Sequence, residues 1–141
     1  MATDGARIDT DDTRYDEITR KIIGCAFKVG SKMGFGFSER CYENALAHEL
    51  KKVGLGVQQQ IPITVWYDDI VVGEYIGDLL VEGVILIELK AVRALDTAHQ
   101  AQCINYLAAT KLPVCLLINF SRRVEVKRIA GPGLSPPSSS V

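Results

Sequence analysis

Apolar residues recur at helical spacing from Tyr15 to about Val29, where Ile18, Ile22, Ala26 and Val29 share one stripe and Asp16, Glu17, Arg20 and Lys21 lie outside it. This pattern predicts an amphipathic helix. Gly30 to Phe37 holds three glycines and Ser31, which should break that helix and lead to Ser38, an N-cap for a second one. Tyr42, Ala45, Leu46, Leu50 and Val53 form the second helix's buried stripe, and Gly54 stands where a left-handed C-terminal glycine belongs. The periodicity then changes to strands. Val57 to Tyr67 and Ile70 to Val81 are β-rich runs separated by an Asp68-Asp69 turn, and Val84 to Val92 follows Glu82-Gly83. Three consecutive antiparallel strands are expected. Asp96 can cap a third helix reaching about Thr110, and Val114 to Phe120, after Pro113, is a continuous apolar run of the kind a buried strand requires. A last strand, Val124 to Ile129, alternates imperfectly with charge. A helix crossing over between the third strand and the Val114 strand implies a mixed α/β sheet flanked by helices.

The chain's 141 residues suit one domain with a real core. That domain is expected over residues 14–130, with an acidic disordered segment at 1–13 and a Pro/Ser-rich disordered tail at 131–141. Sixteen Lys and Arg against 17 Asp and Glu leave a net charge of -1, so nucleic acid must be gripped by a local patch rather than a global field. Few of the basic residues stand beside aromatics in the sequence, which gives little support to stacking on single-stranded bases. Cys25, Cys41, Cys103 and Cys115 lack zinc-ligand spacing and read as reduced core thiols of a cytoplasmic protein. No apolar h-region stands at the N-terminus, and no stretch approaches the ~18 apolar residues that span a bilayer, so no membrane partner is expected.

Glu88 and Lys90 interrupt an otherwise apolar strand, and with a side-chain period of two they project from the same face. Asp78, among Ile76, Leu79, Leu80 and Val81, is a second carboxylate where a core residue is expected. Buried unpaired, it would cost several kcal/mol, so it needs a cation, either lysine or metal. Two carboxylates and one lysine divide the labour of metal-assisted hydrolysis: Asp78 and Glu88 hold Mg2+ or Mn2+, and Lys90 orients or helps deprotonate the attacking water. The alternative is a structural ion pair in a non-catalytic binding module. Register decides whether the acids meet. A two-residue turn at Glu82-Gly83 would send Asp78 to the face opposite Glu88, whereas a loop of Glu82, Gly83 and Val84, or a bulge, sets the two side by side.

His99, Gln102 and Tyr106 form one stripe of the third helix. Gln102 and Tyr106 can contact phosphate or position Lys90, while His99 reads better as a solvated first-turn residue than as a ligand. Glu39 lies in the first turn of the second helix, where the helix dipole alone favours a carboxylate, but it shares a face with Tyr42, Glu43 and Leu46 and is a third candidate acid for the metal, beside Asp78 and Glu88.

Gly36-Phe37-Ser38-Glu39-Arg40-Cys41-Tyr42 resembles the pattern that names the GxxExxY proteins, a branch of the PD-(D/E)xK nuclease superfamily. Asp78 followed by Glu88-Leu89-Lys90 resembles that superfamily's D…ExK core, Gln102-Cys103-Ile104-Asn105-Tyr106 its QhxxY motif, and Leu116 to Phe120 its LLINF strand. The resemblance covers about Tyr15 to Ile129. It implies a restriction-endonuclease-like αβββαβ core, a Mg2+- or Mn2+-dependent nuclease acting on DNA rather than RNA, and metal at Asp78 and Glu88. It further implies the catalytic lysine at Lys90 and supporting roles for Glu39, Gln102 and Tyr106. Gly77 stands where the superfamily's name has proline. A domain this small is expected to act as a homodimer or with a partner.

Overall fold

In the computed structural model the chain is described over residues 3–131, with side chains described from residue 15. Helix α1 spans Thr3–Met33 and α2 Glu39–Lys52; strands β1 (Val57–Tyr67), β2 (Ile70–Val81) and β3 (Ile85–Lys90) follow, then α3 (Thr97–Thr110), β4 (Val114–Phe120) and β5 (Val124–Ala130). The acidic start expected to be disordered falls within the first turns of α1, and its side chains are outside the described residues. The Pro/Ser-rich tail is outside them too, apart from Gly131.

The apolar patterns become two cores, one on each face of a five-stranded sheet ordered β1-β2-β3-β4-β5. On one face α1 and α2 press Ile22, Val29, Tyr42, Leu46 and Leu50 onto Leu79, Ile87, Leu89, Leu116 and Ile118. On the other, α3 packs Cys103, Tyr106 and Leu107 against Ile63, Leu86, Cys115 and Leu117. Strand β4 is buried at every residue because helices cover it on both sides, which is why its sequence runs apolar without alternation. Its pairing with β3 is parallel and bridged by α3, while the other strand pairs are antiparallel. The sheet is therefore mixed, as the helical crossover implied.

Several boundaries and placements differ from expectation. Helix α1 continues past Gly30 to Met33 and stops at Gly34, whose φ of 73° and N–H to the Gly30 carbonyl (2.9 Å) close the last turn. Tertiary contact with β5 outweighs the roughly 1 kcal/mol cost of one helical glycine. Val53, placed on the buried stripe, is exposed because α2 ends at Lys52. Cys41 is exposed rather than a core thiol, while Cys25, Cys103 and Cys115 are buried and free. Ser38 does cap α2, accepting the Cys41 N–H, and Asp96 caps α3.

Strand β2 pairs with β1 along nearly its whole length but with β3 only through Leu79, Leu80 and Val81. The outer half of the β1–β2 hairpin therefore stands clear of β3 as a two-stranded ribbon. The strands that part after Leu79 and Ile87 frame the site described next.

Candidate active site

Beyond the Leu79–Ile87 pair the next two residues across the gap are Asp78 and Glu88. The loop that sets this register is Glu82, Gly83 and Val84, with Glu82 and Gly83 in the left-handed region (φ 55° and 70°) and Val84 N–H donating to the Val81 carbonyl. The three-residue alternative is thus the one adopted. Where the ladder lapses, the acids replace it: Asp78 N–H donates to Glu88 Oε2 at 3.0 Å, and Leu89 N–H donates to Asp78 Oδ2 at 2.7 Å. These crossed bonds hold both carboxylates at one place on stiff strands. Asp78 Oδ1 and Glu88 Oε1 accept no hydrogen bond from any described residue.

Glu88 is 4% exposed. Its carboxyl is pushed up to about 8, chiefly by burial and then by the neighbouring Asp78. Asp78 is raised too, first by burial; the Leu89 N–H opposes the shift, and Glu43 and Glu39 add to it. Lys90 favours ionisation of both acids through space but forms no ion pair with either among the described residues. The structural ion pair that would account for Lys90 without chemistry is therefore not formed. Two adjacent carboxylates, Glu88 buried and Asp78 half-buried, each with an oxygen to spare and no cation in contact, fit a hard divalent ion. Mg2+ in particular is commonly held by one or two carboxylates, with water and substrate phosphate completing its shell. No three Asp, Glu, His or Cys side chains among the described residues converge tightly enough to cage a metal by themselves.

A family model of the PD-(D/E)XK nuclease superfamily matches residues 16–129. The chain belongs to that superfamily. No curated protein matches it. Among solved structures, an alkaline exonuclease (LHK-Exo) from Laribacter hongkongensis is similar over 77% of either chain at 16% identity, with a TM-score of 0.42.

For a PD-(D/E)XK chain, Gly77 in place of proline has a local explanation. A Cβ there would lie 2.8 Å from Leu86 Cδ1, 3.2 Å from Ile63 Cδ1 and 3.4 Å from Glu88 Oε2. The strand needs a bare backbone to let Leu86 and Glu88 pack behind it. Gly77→Ala should cost about 1–3 kcal/mol from overpacking, read as a lower urea midpoint; an unchanged midpoint would show that these neighbours yield freely.

The remaining sequence candidates separate. Tyr106 is buried on α3, its hydroxyl accepting from Gln102 Nε2 at 3.2 Å and its ring 5.7 Å from that of Tyr75. Burial, then the charges of Glu88, Tyr75 and Asp78, raises its phenol. His99, expected to be a solvated first-turn residue, is half-buried and belongs to the cap of α3, where its Nδ1 accepts the Asp96 N–H at 3.0 Å. Glu39 is exposed, and it lines a cavity of about 560 Å³ with Asp78, Glu43, Arg40 and Gln60.

Glu43 is the residue that sequence reasoning passed over. It is 3% exposed, its two oxygens accept from Gln59 Nε2 and Gln60 Nε2 at 2.8 Å each, and Arg40 Nε lies 3.5 Å away. It ranks ahead of Glu39 in raising Asp78. The available signal was its place one helical turn from Leu46 on the inward stripe. In the Gly36…Tyr42 motif, Tyr42 works structurally: its hydroxyl donates to the Gly34 carbonyl at 2.6 Å and its ring stacks on Phe120 at 4.5 Å.

The Arg122 guanidinium lies 5.1 Å from the centre of the Phe35 ring, a contact between two loops distant in sequence.

Proposed function

We propose that the chain is a divalent-metal-dependent nuclease that hydrolyses phosphodiester bonds of DNA, and that it is a GxxExxY-type member of its superfamily. The observation that carries this reading is the pair of half-buried Asp78 and buried Glu88, side by side with free oxygens and no cation in contact. Asp78 and Glu88 would hold Mg2+ or Mn2+, with Glu39 and Glu43 lining the approach. When bound, that ion polarises the phosphate and offsets its developing charge. Lys90, on the same face of β3 as Glu88, orients the attacking water and offsets the phosphate's charge. Gln102 holds the Tyr106 hydroxyl in position toward the same site.

Calorimetric titration with Mn2+ and Mg2+, followed by cleavage assays on single- and double-stranded DNA with and without chelator, tests the proposal. Uptake of the ion together with chelator-sensitive cleavage is expected. A protein that binds neither ion and cleaves nothing would be the non-catalytic module instead.

The free ribbon supports a homodimer. It exposes Trp66, Tyr67, Ile70, Val72, Tyr75 and Ile76. No Lys or Arg occurs from residue 53 to residue 89, so this apolar surface is poorly suited to a phosphate backbone and well suited to another protein face. Light scattering should give twice the monomer mass for the wild type and the monomer mass for Trp66→Glu/Val72→Lys. A monomeric wild type at high concentration rejects the dimer.

A further inference from the structure

A second cavity, of about 360 Å³, adjoins the one that contains Asp78; the two share Ala91, the residue after Lys90. Its lining includes Phe35, Val92, Arg93, Ser121 and Arg122. The volume falls within the ~300–1,000 Å³ usual for small-ligand pockets. Phe35 is 57% exposed although large and apolar, and Arg122 covers one side of it. Nothing in the hydrolytic centre uses this pair.

The pocket's floor is rigid. Asn119, fully buried in β4, accepts the Val92 N–H through Oδ1 at 2.9 Å and donates to the Val92 carbonyl through Nδ2 at 2.9 Å, with a further bond from Nδ2 to Glu125 Oε1 at 3.1 Å. A buried side chain thus pins both backbone groups of the residue that precedes Arg93. The chain leaving the catalytic strand is thereby fixed where it enters the pocket. The two arginines bring positive charge to a chain whose net charge is -1.

Resting on the nuclease reading above, we infer that this pocket binds an unpaired nucleotide next to the scissile phosphate, its base stacked on the Phe35–Arg122 platform and its phosphate held by Arg93. Flat apolar and guanidinium surfaces recognise a base through its π-face, and such stacking requires the base to be out of a duplex. Arginine adds cation–π attraction and phosphate contact. The pocket therefore selects single-stranded DNA, or a frayed strand end, over an intact duplex.

Fluorescence anisotropy in the presence of EDTA tests this without turnover, using a labelled single-stranded DNA oligonucleotide, a blunt duplex, and an abasic oligonucleotide with the same phosphates. Phe35→Ala and Arg122→Ala should each weaken binding of the single strand about fivefold or more. Phe35→Trp should restore it, and Phe35→Ala should leave abasic binding unchanged. Because Phe35 is half-exposed its removal leaves both cores intact, and unchanged melting of each variant confirms this. Wild-type affinity of Phe35→Ala for the single strand, or an equal loss on the abasic strand, overturns the inference. Because no metal or cleavage enters the measurement, failure of the nuclease reading would show separately in the cleavage assay.

Discussion

Asp78→Asn and Lys90→Ala will each lower the rate of DNA cleavage by about a thousandfold or more, corresponding to about 4 kcal/mol of lost transition-state stabilisation. Asp78→Asn keeps the shape of the side chain, and its amide oxygen can still accept the Leu89 N–H, so the crossed bonds between β2 and β3 survive while the negative charge is lost. Fold and oligonucleotide affinity should therefore change little, and the loss should fall on kcat. Lys90 is partly exposed and has no ion-pair partner among the described residues, so its truncation also leaves the core untouched. The glutamates of α2 provide a finer comparison. Glu43 is fixed by two glutamine amides and Arg40, whereas Glu39 is exposed; Glu43→Gln should slow cleavage more than Glu39→Gln. Steady-state kinetics on one DNA substrate decides all four. Equal rates in wild type, Asp78→Asn and Lys90→Ala would assign the cleavage to a contaminant.

Much of the scaffold was legible because its determinants are local. Ser38 and Asp96 cap helices through their own side chains, β4 announces double-sided burial by an unbroken apolar run, and Gly83 fits a short loop whose length sets the parity of Asp78 against Glu88. That parity argument reached the centre of the site, because strand geometry converts loop length into facing side chains. What escaped depends on elements far apart in the chain. Gly30 looks like a helix breaker until β5 packs beside it. Glu39 and Glu43 lie one turn apart on α2, and only the arrival of Gln59 and Gln60 from β1 distinguishes the buried acid from the exposed one. The Arg122–Phe35 contact and the Asn119 clamp on Val92 join segments that no local pattern connects.

Metal-free protein will lose stability as pH rises from about 5 to 9, and Glu88→Gln will abolish most of that loss. Below the ordinary glutamate value of 4.5 the carboxyl is protonated in both folded and unfolded chains, so it contributes no pH dependence. Between 4.5 and about 8 the unfolded chain releases the proton while the folded chain retains it. The folded state binds more protons in that window, so unfolding becomes easier with each unit of pH, by up to about 1.4 kcal/mol. Above about 8 the folded chain must bury the charge, and the loss is complete. Asp78, raised by the same burial, pushes in the same direction. The shift from 4.5 to about 8 corresponds to a total of about 5 kcal/mol, or roughly 15 °C in Tm for a domain of this size. Divalent metal should reverse the effect, because it binds the ionised pair of the folded chain and displaces the Glu88 proton. Melting curves at pH 5 to 9, with EDTA or Mn2+, should show a falling Tm for the metal-free wild type, recovery on adding Mn2+, and a flatter profile for Glu88→Gln. If wild type and Glu88→Gln fall in parallel, Glu88 is not the group that titrates. If they do not, the variant will be more stable than the wild type at pH 8 and above, yet inactive. The buried acid that weakens the metal-free fold would then be the same one on which hydrolysis depends.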